Sequence, residues 1–309
     1  MRLNYFGYYL ENSNTNRKHL FDLREFASTF SNLDSIAFKN SFSYNDEHIY
    51  LFPASTNIYL FVMTRSNEII KRINTNDLNV NEIYDLLAQG EQLGFASYVY
   101  FQPNFLGFAS TFLAPKITAL IHFIDEIFSK IGLGNYKFVL QALLHQASLQ
   151  EVLNIPFIGK TIIEVGRENS FAEDIRNFVG ATVEEVGDIE SFELIIKPRR
   201  RKNIEPLVKK FIKSIPEEGL GKLIIKAKDE LQDNLTDLYL VGKGAISDSI
   251  NTREENAIYQ HIVTKTKNNM FLEQKIEEFT NDEKFTEAEL ENIRRFNDVA
   301  PWTAFIQNI

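Results

Sequence analysis

At 309 residues, with 44% hydrophobic, 13% aromatic and 24% charged positions, the chain has a globular composition and the length of two domains, or of one domain carrying a large insertion. Disordered and fibrous classes are excluded. Cysteine is absent, which removes disulfides, thiolate metal sites and cysteine nucleophiles and fits a reducing compartment.

Residues Asn4 to Gln150 read as an α+β unit with aromatics filling its core. Arg17 to Leu33 places Leu20, Leu23, Phe26 and Phe30 at helical spacing, which predicts a helix there. His48 to Phe52 and Ile58 to Arg65 predict two strands around a turn at Pro53-Ala54-Ser55-Thr56. Phe95 to Phe101 and Leu106 to Phe112 predict a second hairpin around Pro103-Asn104. Gly-Phe-Ala-Ser occurs at both 94–97 and 107–110, too short a match to establish a repeat. Ile117 to Ile131 predicts an amphipathic helix stopped by Gly132 and Gly134, and a domain junction is expected soon after.

From Phe157 to Leu240 short strands alternate with short helices, as in a separate small α/β module. Thr161 to Val165 is strand-like. Ser170 and Glu173 form a capping box opening a helix with Phe171, Ile175, Phe178 and Val179 on one face, ended by Gly180. Phe192, Leu194 and Ile196 make the buried face of the next strand. Asn203 then caps a helix with Glu205 and Pro206 in its first turn and an apolar stripe of Ile204, Leu207, Val208, Phe211, Ile212 and Ile215. Beyond Asn251 the pattern is helical and acidic, with Glu273, Glu277, Glu278, Asp282, Glu283, Glu287, Glu289 and Glu291 forming a solvated face, or alternatively a helical arm or oligomer contact.

A net charge of −9 disfavours a polyanionic partner only if it is evenly spread, because phosphate repels an acidic surface. It is not evenly spread. Between Lys197 and Lys228 eleven cations (Lys197, Arg199, Arg200, Arg201, Lys202, Lys209, Lys210, Lys213, Lys222, Lys226, Lys228) face three anions (Glu205, Glu217, Glu218), a net +8 that leaves −17 for the rest of the chain. In the strand 222–228 a period of two puts Lys222, Ile224, Lys226 and Lys228 on one face and Leu223, Ile225 and Ala227 on the other. Strand, loop and helix cations are expected to converge on one groove that neutralises phosphates without reading bases. The alternative is a solvated lysine-rich helix beside an ordinary basic turn. No zinc-finger spacing, ribonucleoprotein aromatic signature or helix-turn-helix is evident.

Other chemistries fit less well. His19, His48, His122, His145 and His261 stand singly, without metal-ligand spacing, so neither a metal nor a cofactor is expected. Asp229, Glu230, Asp233 and Asp237 follow the basic strand and could hold a divalent ion for phosphodiester cleavage, or be a polar helix start or loop. Gly159-Lys160-Thr161 looks like the end of a phosphate loop, but the first glycine of that motif would fall at Asn154. Met1 to Tyr5 lack the basic start and apolar run of a signal peptide. The longest apolar stretches, Ile58 to Met63 and Ile117 to Phe128, are too short for a bilayer or are broken by His122, Asp125 and Glu126. The expected location is cytoplasmic.

Several stretches, in order and spacing, carry a resemblance: Leu93-Gly94-Phe95, Gly107-Phe108-Ala109, Phe157-Ile158-Gly159 followed by a basic residue and Thr161, Gly180-Ala181-Thr182, Ile196-Lys197-Pro198, Ala227-Lys228-Asp229-Glu230, Leu235-Thr236, Tyr239-Leu240 and Lys243-Gly244. Through them the sequence resembles the RexA family of lambdoid prophage exclusion proteins over most of its length. The resemblance implies a homodimeric sensor that binds double-stranded DNA independently of sequence and signals to a membrane channel partner of the RexB type, without catalysis. It also implies a globular domain joined to a mobile one. Family cations carry over at Lys160, Lys197, Arg199, Arg201, Lys202, Lys209, Lys226 and Lys228, while Arg200 and Lys210 stand where the family has an aromatic and an acid. The acidic extension after Asn269 is longer than the resemblance predicts and could mask the basic patch.

The fold expected is α+β in two domains. Residues 1–150 would form a globular domain, 156–242 an inserted small β-α-β-α-β, ferredoxin-like mobile domain, and 250–309 acidic helices packing back on the globular part. The function expected is phage exclusion by DNA binding, with a metal-dependent nuclease built on residues 229–237 as the alternative.

Overall fold

The N-terminal residues alternate so that Tyr8 and Leu10 point into one apolar layer and Tyr5, Gly7 and Tyr9 to the other side, which makes the first strand a central one. The computed structural model describes the chain apart from residues 66–69, 74–79, 84–86, 167–169, 181, 183–188, 200–201, 213–219, 229–235, 242–243, 270, 287–289 and 308–309. Contacts divide it into two compact units, residues 1–142 with 250–309 and residues 143–249.

In chain order the first unit contains β1 (Arg2–Asn12), β2 (Lys18–His19), α1 (Leu23–Asn32), α2 (Ile36–Lys39), β3 (Ser43–Tyr44), β4 (Glu47–Ser55), β5 (Ile58–Thr64), β6 (Lys71–Ile73), β7 (Val80–Glu82), β8 (Gly94–Gln102), β9 (Phe105–Ser110), α3 (Ile117–Lys130) and β10 (Tyr136–Ala142). The main sheet runs β10, β1, β9, β8, β5, β4, β3, antiparallel throughout, with β2 paired to β1.

Three local expectations shift. The helix read from Arg17 starts at Leu23, because Lys18 and His19 pair with Glu11 and Leu10 as a strand and Asp22 caps the helix by accepting from the Arg24 N–H at 3.0 Å. The first hairpin reverses at Thr56-Asn57 rather than around Ala54. Asn57 takes the left-handed conformation at φ +59°, which asparagine tolerates, and Pro53 sits at a strand irregularity that needs no N–H. Strand β9 stops at Ser110, where Lys116 Nζ donates to the Thr111 and Phe112 carbonyls and leaves the Phe112 ring exposed. The second hairpin turns at Pro103-Asn104 as expected, with Asn104 at φ +64°.

The second unit contains β11 (Leu144–His145), α4 (Leu149–Asn154), β12 (Phe157–Gly166), α5 (Ser170–Val179), β13 (Ser191–Ile196), α6 (Glu205–Ile212), β14 (Leu220–Lys228), β15 (Thr236–Val241), β16 (Gly244–Ala245) and β17 (Ser247–Ser249). Its sheet runs β13, β12, β14, β15 with every neighbour antiparallel. Among the described residues the succession β12-α5-β13-α6-β14-β15 differs from the β-α-β-β-α-β of ferredoxin-like domains. Because β12 and β13 are antiparallel neighbours, α5 lies on an excursion that returns the chain to the end it left, and is not a crossover between parallel strands.

The chain then returns to the first unit with α7 (Glu255–Asn268), α8 (Leu272–Thr280), α9 (Glu291–Arg294), a 3-10 turn (Arg295–Asn297) and α10 (Val299–Ile306). Tyr259 of α7 meets Tyr98 edge-on at 5.9 Å, and the Phe279 ring of α8 lies against Gly7, where an added Cβ would come within 2.7 Å of it. On the other side of the sheet Trp302 is fully buried among Phe26, Phe30, Phe38 and Phe296, and its Nε1–H donates to the Phe296 carbonyl at 2.7 Å. The acidic run is a solvated face as far as it is described. Leu272 and Phe279 are buried while Glu273, Glu277 and Glu278 are exposed.

Gly132 ends α3 at φ +77°, and a Cβ there would also come within 2.8 Å of the Phe305 ring. Gly132→Ala is therefore expected to lower stability by about 1–3 kcal/mol, since strain and overlap act together. Equilibrium denaturation measures it, and a loss indistinguishable from zero would contradict both causes.

Candidate nucleic-acid interface

The basic segment is organised by one strand register. Apolar Ile163, Val165, Leu223, Ile225, Ala227 and Leu238 are each less than 7% exposed and alternate with Ile162, Glu164, Lys222, Lys226 and Lys228. Val208 and Ile212 of α6 and Ala172 of α5 are likewise buried, so the apolar row lies beneath the helices and the lysine row points to the opposite side. Among the described residues the helix cations Lys209 and Lys210 thus lie on the opposite layer from the strand lysines, which corrects the expectation that helix and strand cations share one groove. Lys209 pairs with Glu205 at 2.7 Å, and Lys210 is exposed on the helix layer. The expected faces of the two helices also change. Phe178 is 91% and Leu207 55% exposed, because Ala172 on α5 and Val208 on α6 make the buried contacts instead.

Register also separates the strand cations along their length. Phe157 at the start of β12 is opposite Lys228 at the end of β14, and Thr161 is opposite Ile196 at the end of β13. Lys160, Lys197, Lys226 and Lys228 therefore gather at one end of the sheet. Lys222 faces Glu164 near the other end, about 20 Å away at the rise of a strand. Ile224, read as part of a basic face, is 5% exposed and paired with Ile162 and Tyr239. The lysine row is interrupted by an apolar step.

The loop between β13 and α6 reaches the same cationic end, held there by Asn203. Its Oδ1 accepts from the Ile158 and Glu205 N–H groups and its Nδ2 donates to the Pro156 carbonyl, each at 2.9 Å. The Ile204 N–H adds a bond to the Ile158 carbonyl at 2.9 Å. Local spacing predicts Asn203 as a helix cap, and its side chain also ties helix, loop and strand together. Exposed Arg199 and Lys202 follow, with the Lys202 N–H donating to the Arg199 carbonyl at 2.9 Å. Arg200, Arg201 and Lys213 lie outside the described residues, as do Asp229, Glu230 and Asp233; for Asp237 only the backbone, opposite Lys226, is described.

Phe157, which enters the sequence reading only as the start of a matched stretch and not as a site residue, has the Lys228 ammonium 4.8 Å from the centre of its ring. The pair belongs to strands far apart in the chain, so only a strong reading of register could have found it. Gly159 and Lys160 lie inside β12, not at a strand-to-helix turn, which removes the phosphate-loop reading on structural grounds as well. Among the described residues no group of three His, Asp or Glu side chains could hold a metal ion, and no helix is long and apolar enough to cross a membrane.

Thr161, next to Lys160, is fully buried, and among the described residues its hydroxyl has no hydrogen-bond partner. Thr161→Val keeps the shape and removes an orphaned polar group, so it should leave stability unchanged or raise it by about 1 kcal/mol. A clear destabilisation in a denaturant titration would mean that the hydroxyl is satisfied.

Residues 1–235 match the family described as "RexA: Intracellular sensor of Lambda phage, Abi component". The chain is similar to the protein rexA of Escherichia phage lambda and to that of Enterobacteria phage 434, each 28% identical over 204 residues covering 66% of this chain and 72% of the relative.

Proposed function

Because the chain belongs to the RexA family and is a component of phage exclusion, or abortive infection, we propose that it acts as a sensor that binds double-stranded DNA without regard to sequence and works by binding, not catalysis. The observation that carries this reading is the gathering of Lys160, Lys197, Lys226 and Lys228 at one sheet end, with Arg199 and Lys202 brought beside them by Asn203. Such an array neutralises backbone phosphates at several points and offers no element to read base edges. The family's description as an intracellular sensor supports a cytoplasmic site of action. Action as a homodimer that signals to a membrane channel partner of the RexB type completes the proposal.

A salt titration of binding to unrelated duplexes tests it. If about four to six phosphates are engaged, log affinity falls with log salt at a slope of about −4 to −5 and differs little between sequences. A strong preference for one sequence, or no binding at low salt, would overturn the reading. Adding magnesium to the same duplexes tests the binding-only part, because cleavage would contradict it, and light scattering reads the oligomeric state.

A further inference from the structure

Phe157 opens β12 directly opposite Lys228 of β14 and stands at the cationic end of the sheet. The ring is half-buried, with the Lys228 ammonium 4.8 Å from its centre. A flexible lysine thus lies over its π-face, an interaction that is weak at a solvated site and easily exchanged. Beside the ring the β12–β14 pairing is irregular between Ile158 and Thr161, the kind of break that re-aims neighbouring side chains, and Lys160 lies within it.

A continuous duplex presents phosphates to such a surface and keeps its bases stacked inside, so it gives the ring nothing to bind. A single strand offers both charges and π-faces. A cationic track interleaved with an aromatic ring is the arrangement that holds it.

We propose that Phe157 is a stacking platform for an unpaired base, so that this end of the second unit also takes single-stranded DNA, with Lys160, Lys226 and Lys228 on the flanking phosphates. The inference rests on the phosphate-binding reading above. On binding, the Lys228 ammonium leaves the ring for a phosphate oxygen and the base takes its place, with no covalent change.

The test compares the full chain with Phe157→Leu, which keeps apolar bulk without a π-face, and Phe157→Tyr, which keeps the π-face. The probes are a twenty-nucleotide oligothymidylate and a fully paired duplex of the same length. Phe157→Leu should weaken oligothymidylate binding about tenfold and leave duplex binding unchanged, while Phe157→Tyr should bind as the parent does. Equal weakening on both probes would reduce the ring to a packing element, and no weakening on either would remove it from the site; each outcome overturns the inference while leaving the duplex reading in place. A parent that binds oligothymidylate but not duplex would overturn the duplex reading alone. Binding to neither would end both.

Discussion

Trp302→Ala should lower the stability of the first unit by about 3–5 kcal/mol, the cost of a large cavity in a close-packed core. Trp302 is fully buried, its ring meets Phe26, Phe30, Phe38 and Phe296, and its indole N–H satisfies the Phe296 carbonyl. Truncation therefore removes apolar contacts and orphans a buried acceptor together. Because Trp302 is the sole tryptophan, circular dichroism rather than fluorescence should follow the denaturant transition. Val263→Ala serves as the control, since Val263 is 41% exposed and should change stability by less than about 0.5 kcal/mol. Similar losses for the two variants would mean that the C-terminal helix does not complete the core.

Simultaneous replacement of Lys160, Lys226 and Lys228 by glutamate should weaken duplex binding by at least about a hundredfold at 0.1 M salt, for every sequence alike, and flatten the salt slope by about three. Lys222→Glu should change affinity much less, because Lys222 faces Glu164 near the other end of the sheet. That contrast separates a site defined by register from one defined by the run of basic residues, which includes Lys222 on equal terms. A triple variant that keeps a folded far-ultraviolet spectrum and the parental slope would place the phosphate contacts elsewhere. Equal loss from Lys222→Glu would restore the whole strand as the binding surface.

Much of the local structure was legible because it depends on neighbours in the chain. The helix over 117–130 and its stop at Gly132, the hairpin turning at Asn104, and Asn203 before α6 each follow from spacing and turn chemistry within a few residues. Local signals failed where a distant partner decided the outcome. Lys18 and His19 look helical until β1 offers them a ladder, and Phe178 and Leu207 look like core until Ala172 and Val208 take the positions against the sheet. Charge segregation was likewise open to counting, so the sequence by itself determined that positive charge is concentrated within residues 197–228. Which cations stand together was decided by the antiparallel pairing of β12 with β13 and β14 and by the Asn203 tether. Strand pairing and that side-chain bridge bring residues together across loops whose sequence carries no record of the register, so only the tertiary structure could set Lys228 beside Phe157 and Lys160 and leave Lys222 apart.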